Sequence, residues 1–178
     1  MFNLDFSNLF YTEHAIAGVV VRIHMCAKNK TMLLKILNKK MERYLELVDL
    51  DPSTFDIAIN TSTGGKPVQI ETRLNNGKVT IYLWDVYLVL SKTTLLHEMV
   101  HVKQLQHEDT VDRAATEGYV ICMGARIDNE VLSDTGWRGR YWFLPSEREA
   151  YAVQLKEMNV VNRYLTKLFY LTVYGVWL

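Results

Sequence analysis

The chain has 178 residues, 49% of them hydrophobic, which is enough for one compact domain with a real core and hardly enough for two, so 1–178 reads as a single domain. Twenty Lys and Arg balance twenty Asp and Glu, so no net field recruits nucleic acid or an anionic membrane surface, and neither is expected as a partner. Two cysteines, Cys26 and Cys122, lie outside any Cys-x-x-Cys spacing; they argue for buried free thiols rather than a disulfide framework or a cysteine metal site.

The N-terminus has Asp5 and Glu13 and no positive charge before Arg22, and its apolar run is too short to span a bilayer. Cytoplasmic production without a signal peptide is therefore expected. Periodicity leaves the run 15–23 open between a strand and a short helix. From Lys30 to Val48 the spacing of Met32, Leu33, Ile36, Leu37, Met41, Tyr44, Leu45 and Val48 is helical, and Asp51-Pro52 ends the helix.

Phe55, Ile57 and Ile59 alternate with other residues as in a strand, and the Gly64-Gly65 stretch after them lacks the frame of a phosphate loop and reads as a turn. Alternation at Val68, Ile70 and Thr72, then Asn75-Asn76-Gly77, then Val79, Ile81 and Leu83 predicts a hairpin. The segment 84–90 continues it as an apolar lead into the next helix.

That helix, over 93–106, carries the chemistry. Ser91, Thr93 and Thr94 are N-cap candidates, and Leu95, Leu96, Met99, Val100, Val102 and Leu105 supply a buried side. Within it lies His97-Glu98-Met99-Val100-His101. Two histidines four positions apart share one helix face, so both imidazoles reach one metal ion, and Glu98 is placed to act on a water activated there. Such a pattern predicts a zinc hydrolase with Zn2+ as cofactor.

Beyond it, 114–127 reads as a helix, 136–143 as a loop passing into an aromatic strand, and Pro145-Ser146 as the start of a helix running to about Tyr170. The tail from Leu168 onward is apolar and is expected to dock on the core, or else to form a contact surface for a partner.

A catalytic zinc site takes three protein ligands, so one is still to be found. His107 completes a spacing similar to that of metzincins, which carry Gly at the position held here by Gln104. If the helix continues through Gln104, His107 lies about 120° round the axis from His101 and cannot reach the metal. The other candidates are Glu147 and Glu149. Here the chain resembles the gluzincin branch of zinc metallopeptidases, in HEMVHVKQ at 97–104 and PSEREAYA at 145–152, and among them small bacterial and phage domains with these two helices in this order.

The resemblance implies an α+β, zincin-like fold with a short, mostly antiparallel sheet packed on an active-site helix and a glutamate helix. It also implies Glu147 as third ligand, because Glu147 aligns with the first Glu of the family motif. Ser146 and Glu149 have capping-box spacing, which would give Glu149 a structural task, yet Glu149 stays open as an alternative ligand. Tyr151 stands where many relatives carry Asp or Asn.

The implied activity is endopeptidase cleavage of a peptide or protein substrate, with His97, His101 and Glu147 on zinc and Glu98 as general base. Tyr119, Arg140, Tyr141 and Tyr151 are candidates for stabilising the oxyanion, and the strand at 79–84 is where the resemblance puts an edge strand that binds substrate. Two rival expectations are a zincin-like structural or interaction protein, for example a phage component, and a zinc amidase acting on cell-wall material.

Overall fold

The computed structural model describes residues 11–24, 30–59, 70–75, 78–83, 93–106, 111–113, 117–122, 125–133 and 144–174. Cys26, the glycine loop at 63–67, the segment 84–90, Ser91, His107 and the stretch 136–143 lie outside them. The protein is α+β, and it divides into two compact units, Met1–Ser91 and Lys92–Leu178.

The first unit is built on a five-stranded sheet. Strands β1 (Tyr11–Ile16) and β2 (Val19–His24) form an antiparallel hairpin, so the open reading of 15–23 resolves as strand. Its two-residue turn puts Ala17 at φ 49° and Gly18 at φ 84°. A side chain on Gly18 would also meet Pro52, whose Cγ lies 3.0 Å from the position of the added Cβ. The signal was present in the sequence as Ala-Gly, a weaker form of the Asn-Gly turn.

Helix α1 (Lys30–Val48) follows, with Leu33, Leu37, Met41, Tyr44 and Val48 buried along one stripe. It ends in a Schellman arrangement: Asp49 takes φ 57°, Asp49 N donates to Glu46 O (3.3 Å) and Leu50 N to Leu45 O (3.1 Å). After a short 3-10 turn at Pro52–Thr54 comes β3 (Phe55–Ile59), then β4 (Ile70–Asn75) and β5 (Lys78–Leu83), the predicted hairpin.

The strand order is β1-β2-β3-β5-β4. This sheet is mixed, because β2, β3 and β5 run parallel in the middle and the flanking pairs are antiparallel. The cause is the helical crossover between β2 and β3, since a chain that crosses over through a helix returns in the same direction.

Strand β3 is buried on both faces, Asp56 and Ala58 included, as the interior strand of a parallel core should be. Arg22 of β2 forms an ion pair with the buried Asp56. The topology also corrects the expectation for 79–84: β5 is paired on both sides, by β3 and β4, and offers no free edge for an extended substrate.

The second unit opens with α2 (Thr94–Leu105), followed by a three-stranded antiparallel sheet of β6 (Val111–Arg113), β7 (Tyr119–Cys122) and β8 (Ala125–Asp128). Within the helix expected over 114–127, Tyr119–Cys122 and Ala125–Asp128 are instead strands. Gly118 at φ 76° interrupts any helical run, and the β-branched Val120, Ile121 and Ile127 suit a pleated ladder.

A short α3 (Asn129–Ser133) precedes α4 (Pro145–Gln154). The single helix expected over 147–170 is two. α4 closes in a 3-10 turn at Leu155–Glu157, Met158 is extended, and α5 (Val160–Tyr174) begins afresh. Asn159 starts it by accepting from Asn162 N through its side-chain oxygen (2.9 Å), an N-cap that competes with continuing the first helix. Arg163 spans the break, donating to Lys156 O and Met158 O.

Of the apolar tail from Leu168, Tyr170 is buried while Leu168 and Leu171 are exposed, and upstream on the same helix Val160, Val161, Tyr164 and Leu165 are exposed too. Among the described residues no helix is long and apolar enough to cross a membrane.

Candidate metal centre

The site lies wholly in the second unit, on α2 and α4. Thr93 takes the N-cap position of α2 without a side-chain capping bond, and its carbonyl accepts from His97 N (3.1 Å). The Thr93 hydroxyl is used elsewhere, accepting from Gln154 Nε2 (3.0 Å) near the end of α4. Two-thirds of α2 is buried, including the polar His97, Glu98 and Gln104, while His101 is half-buried. The helix continues without a break through Gln104 to Leu105, and His107 lies outside the described residues.

α4 starts with Pro145 in its first turn, where a missing N–H costs nothing. Leu144 is its N-cap and no side chain caps it, so the expected capping box is absent. With the helix beginning two residues earlier than that box requires, Ser146 lies inside the first turn. Glu149 instead accepts from Gln104 Nε2 (2.9 Å).

Glu147 points its buried carboxylate at both histidines. His97 Nε2 lies 3.3 Å from Glu147 Oε2, His101 Nε2 lies 3.1 Å from Oε1, and the two Nε2 atoms are 3.1 Å apart. A tetrahedral ion with ligand bonds of about 2.0–2.1 Å separates its ligand atoms by roughly 3.3 Å, so the spacing suits one ion. The three residues form a group that could hold a metal ion. Two neutral imidazoles and a carboxylate are also a donor set that first-row metals accept.

The electrostatics follow from this crowding. Burial pulls the His101 imidazole down, but the hydrogen bond and charge of Glu147, the charge of Glu98 and the bond to Gln104 lift it to about 9. Burial pushes Glu147 up, but hydrogen bonds and charge from His101 and His97 hold its carboxyl well below the usual range. A proton on His101 Nε2 thus stands where a metal would sit. The influence of Glu98 on His101 puts the proposed base within electrostatic reach of the site.

Of the four residues expected near an oxyanion, Tyr151 packs its ring on His97 with centroids 4.6 Å apart and on Tyr170 at 5.2 Å. Tyr119 donates its hydroxyl to Glu117 (2.9 Å) and lies beneath the Arg126 guanidinium. Arg140 and Tyr141 fall outside the described residues.

Sequence reasoning missed two contributors. Gln104 entered as a residue of the HEMVHVKQ stretch and as the position where metzincins carry Gly, but without a role, although its position three residues past His101 on the same helix face was the available signal. Tyr170, some twenty residues past Tyr151, carried none. No family model, curated protein or solved structure matches this chain.

Proposed function

We propose that this protein is a zinc metallopeptidase of the zincin type, with His97, His101 and Glu147 as metal ligands and Glu98 as general base. One observation carries the reading: two imidazole nitrogens and a carboxylate from separate helices converge at tetrahedral spacing beside a buried glutamate. When bound, zinc supplies Lewis acidity, lowering the pKa of a water and polarising a carbonyl oxygen.

The chain's own residues carry the remaining steps. Glu98 accepts the proton of the attacking water and returns it to the leaving amine. His97 is buried with Tyr151 against its ring, while His101 is half-buried and keeps some exposure to solvent. Tyr151 is the described oxyanion candidate that lies beside a ligand.

The test joins metal content with hydrolysis of a mixed peptide library. About one zinc per chain, with cleavage that falls at least 100-fold in Glu98→Gln while zinc is retained, supports the reading. No zinc after supplementation removes it, and a full rate in Glu98→Gln removes the base.

The burial of His97 and Glu147 favours one second reading, a closed zinc site without catalysis. Zinc with no hydrolysis of peptides or peptidoglycan fragments would establish that reading, whereas activity on the fragments alone would make the protein a cell-wall amidase.

A further inference from the structure

We infer that Gln104 is a positioning residue for His101: its amide, oriented by the first turn of the helix that carries Glu147, holds the imidazole with a proton on Nδ1 and turns Nε2 to the metal site. The inference rests on reading the site as a metal centre.

The argument is one of donors and acceptors. Gln104 is buried, 4% exposed, and its Nε2 faces Ser146 O at 3.0 Å and Glu149 Oε2 at 2.9 Å. A carbonyl and a carboxylate only accept, so the amide NH2 must be the end that faces them. The amide oxygen is then fixed on the other side, 2.7 Å from His101 Nδ1. That oxygen only accepts, so Nδ1 must donate. A flipped amide would place N–H groups at Nδ1 and drive the imidazole proton to Nε2, the atom 3.1 Å from both His97 Nε2 and Glu147 Oε1. Ser146 and Glu149 therefore decide, through one glutamine, which nitrogen of His101 is available to a metal.

The second histidine is held differently. His97 Nδ1 is buried with no hydrogen-bond partner among the described residues, and Tyr151 packs on the ring. Gln104 thus acts on one ligand alone. α4 contributes a ligand, Glu147, and also the orientation of a ligand on α2, so the two halves of the site assemble together.

A carboxylate at position 104 would serve His101 equally but would have no proton for Ser146 or Glu149. It should succeed only if Glu149 becomes a donor. This reciprocal requirement separates positioning from mere packing.

The experiment uses the full chain as wild type, Q104M, Q104E and Q104E/E149Q. It measures zinc affinity by chelator competition, metal-free melting, and histidine-ring 1H–15N spectra. Q104M is expected to bind zinc about 10–100-fold more weakly, with the His101 Nδ1 proton lost to exchange. Q104E should lose at least as much, and Q104E/E149Q should recover tenfold or more of that loss, because the amide introduced by E149Q donates to the carboxylate introduced by Q104E.

Zinc affinity within twofold of wild type in Q104M, or a folded Q104E/E149Q no better than Q104E, would overturn the inference. If wild type takes up no zinc, the metal reading falls and the ring spectra of the metal-free protein decide the positioning. Followed through an alkaline titration, the neutral His101 ring of wild type should hold the Nδ1–H form and Q104E/E149Q should keep it, while Q104M loses it. The same tautomer in Q104M as in wild type would overturn the inference there.

Discussion

His97 and His101 bring their Nε2 atoms to 3.1 Å across one turn of α2, with the Glu147 carboxylate against both. Two nitrogens at that distance cannot both carry a proton between them. The charge and hydrogen bond of Glu147 favour a proton on His101, which a metal entering the site has to displace.

Zinc affinity should accordingly rise with pH. His101 has its pKa raised from 6.5 to about 9, so its contribution to metal-free stability is complete below about 6.5 and is lost as pH rises through 9. Glu147 is lowered from 4.5, so its contribution is present above 4.5 and is lost only in strong acid. Chelator competition between pH 6 and 9 should show about one proton released per zinc, with affinity levelling above 9. An affinity independent of pH across this window would mean that His101 is not charged in the metal-free site.

Glu147 and Glu149 should separate cleanly. Glu147→Ala removes a ligand and should abolish stoichiometric zinc. Glu149→Ala removes one of two acceptors for the Gln104 amide, and the Ser146 carbonyl remains, so zinc should be held within about tenfold of wild type. Metal analysis after dialysis against a weak chelator reads both. The reverse ranking would make Glu149 the ligand.

The sequence was most legible where one physical cause acted alone. Lys30–Val48 needed only its apolar stripe, and the hairpin at 70–83 its alternation and Asn-Gly turn. His97, Glu98 and His101 were legible because four residues make about one helical turn.

The rest depended on competition between signals. Residues 119–127 contain apolar positions at both helical and strand spacing, and Gly118 at φ 76° tips Tyr119–Cys122 to strand, paired with Ala125–Asp128. Asn159 could have stayed inside a helix but caps a new one. Sheet order was hidden because pairing partners are distant in sequence: nothing near 79–83 says that β3 will add to the edge β4 leaves open. The role of Gln104 was hidden for the same reason, its partners lying on α4.

The β1–β2 turn should respond to its two residues in opposite directions. Ala17 at φ 49° holds a left-handed conformation without a side chain that favours it, so Ala17→Asn should stabilise the protein by about 0.5–1 kcal/mol. Gly18→Ala meets both an unfavourable φ of 84° and Pro52 Cγ at 3.0 Å, and should destabilise by about 1–3 kcal/mol. Urea midpoints with an unchanged m-value would test both. Equal and neutral effects would show that the turn does not hold this geometry.

Arg22 and Asp56 should behave as a pair whose removal costs less than its breakage. Asp56 sits on the central strand β3 at 2% exposure, while Arg22, paired with it from β2, keeps its side chain about one-third exposed. Arg22→Met removes that cation from beside a buried carboxylate. The expected loss is about 2–4 kcal/mol, below a fully buried pair because solvent reaches the arginine end.

Arg22→Met combined with Asp56→Asn removes the charge as well, and should recover about half of that loss. The recovery separates an electrostatic cause from a packing one: if the loss came from the aliphatic stem of Arg22, the methionine would already replace it and the second substitution would only add damage. Denaturant unfolding of the two single variants and the double closes the cycle, and a coupling energy near zero would show that the pair does not stabilise the fold.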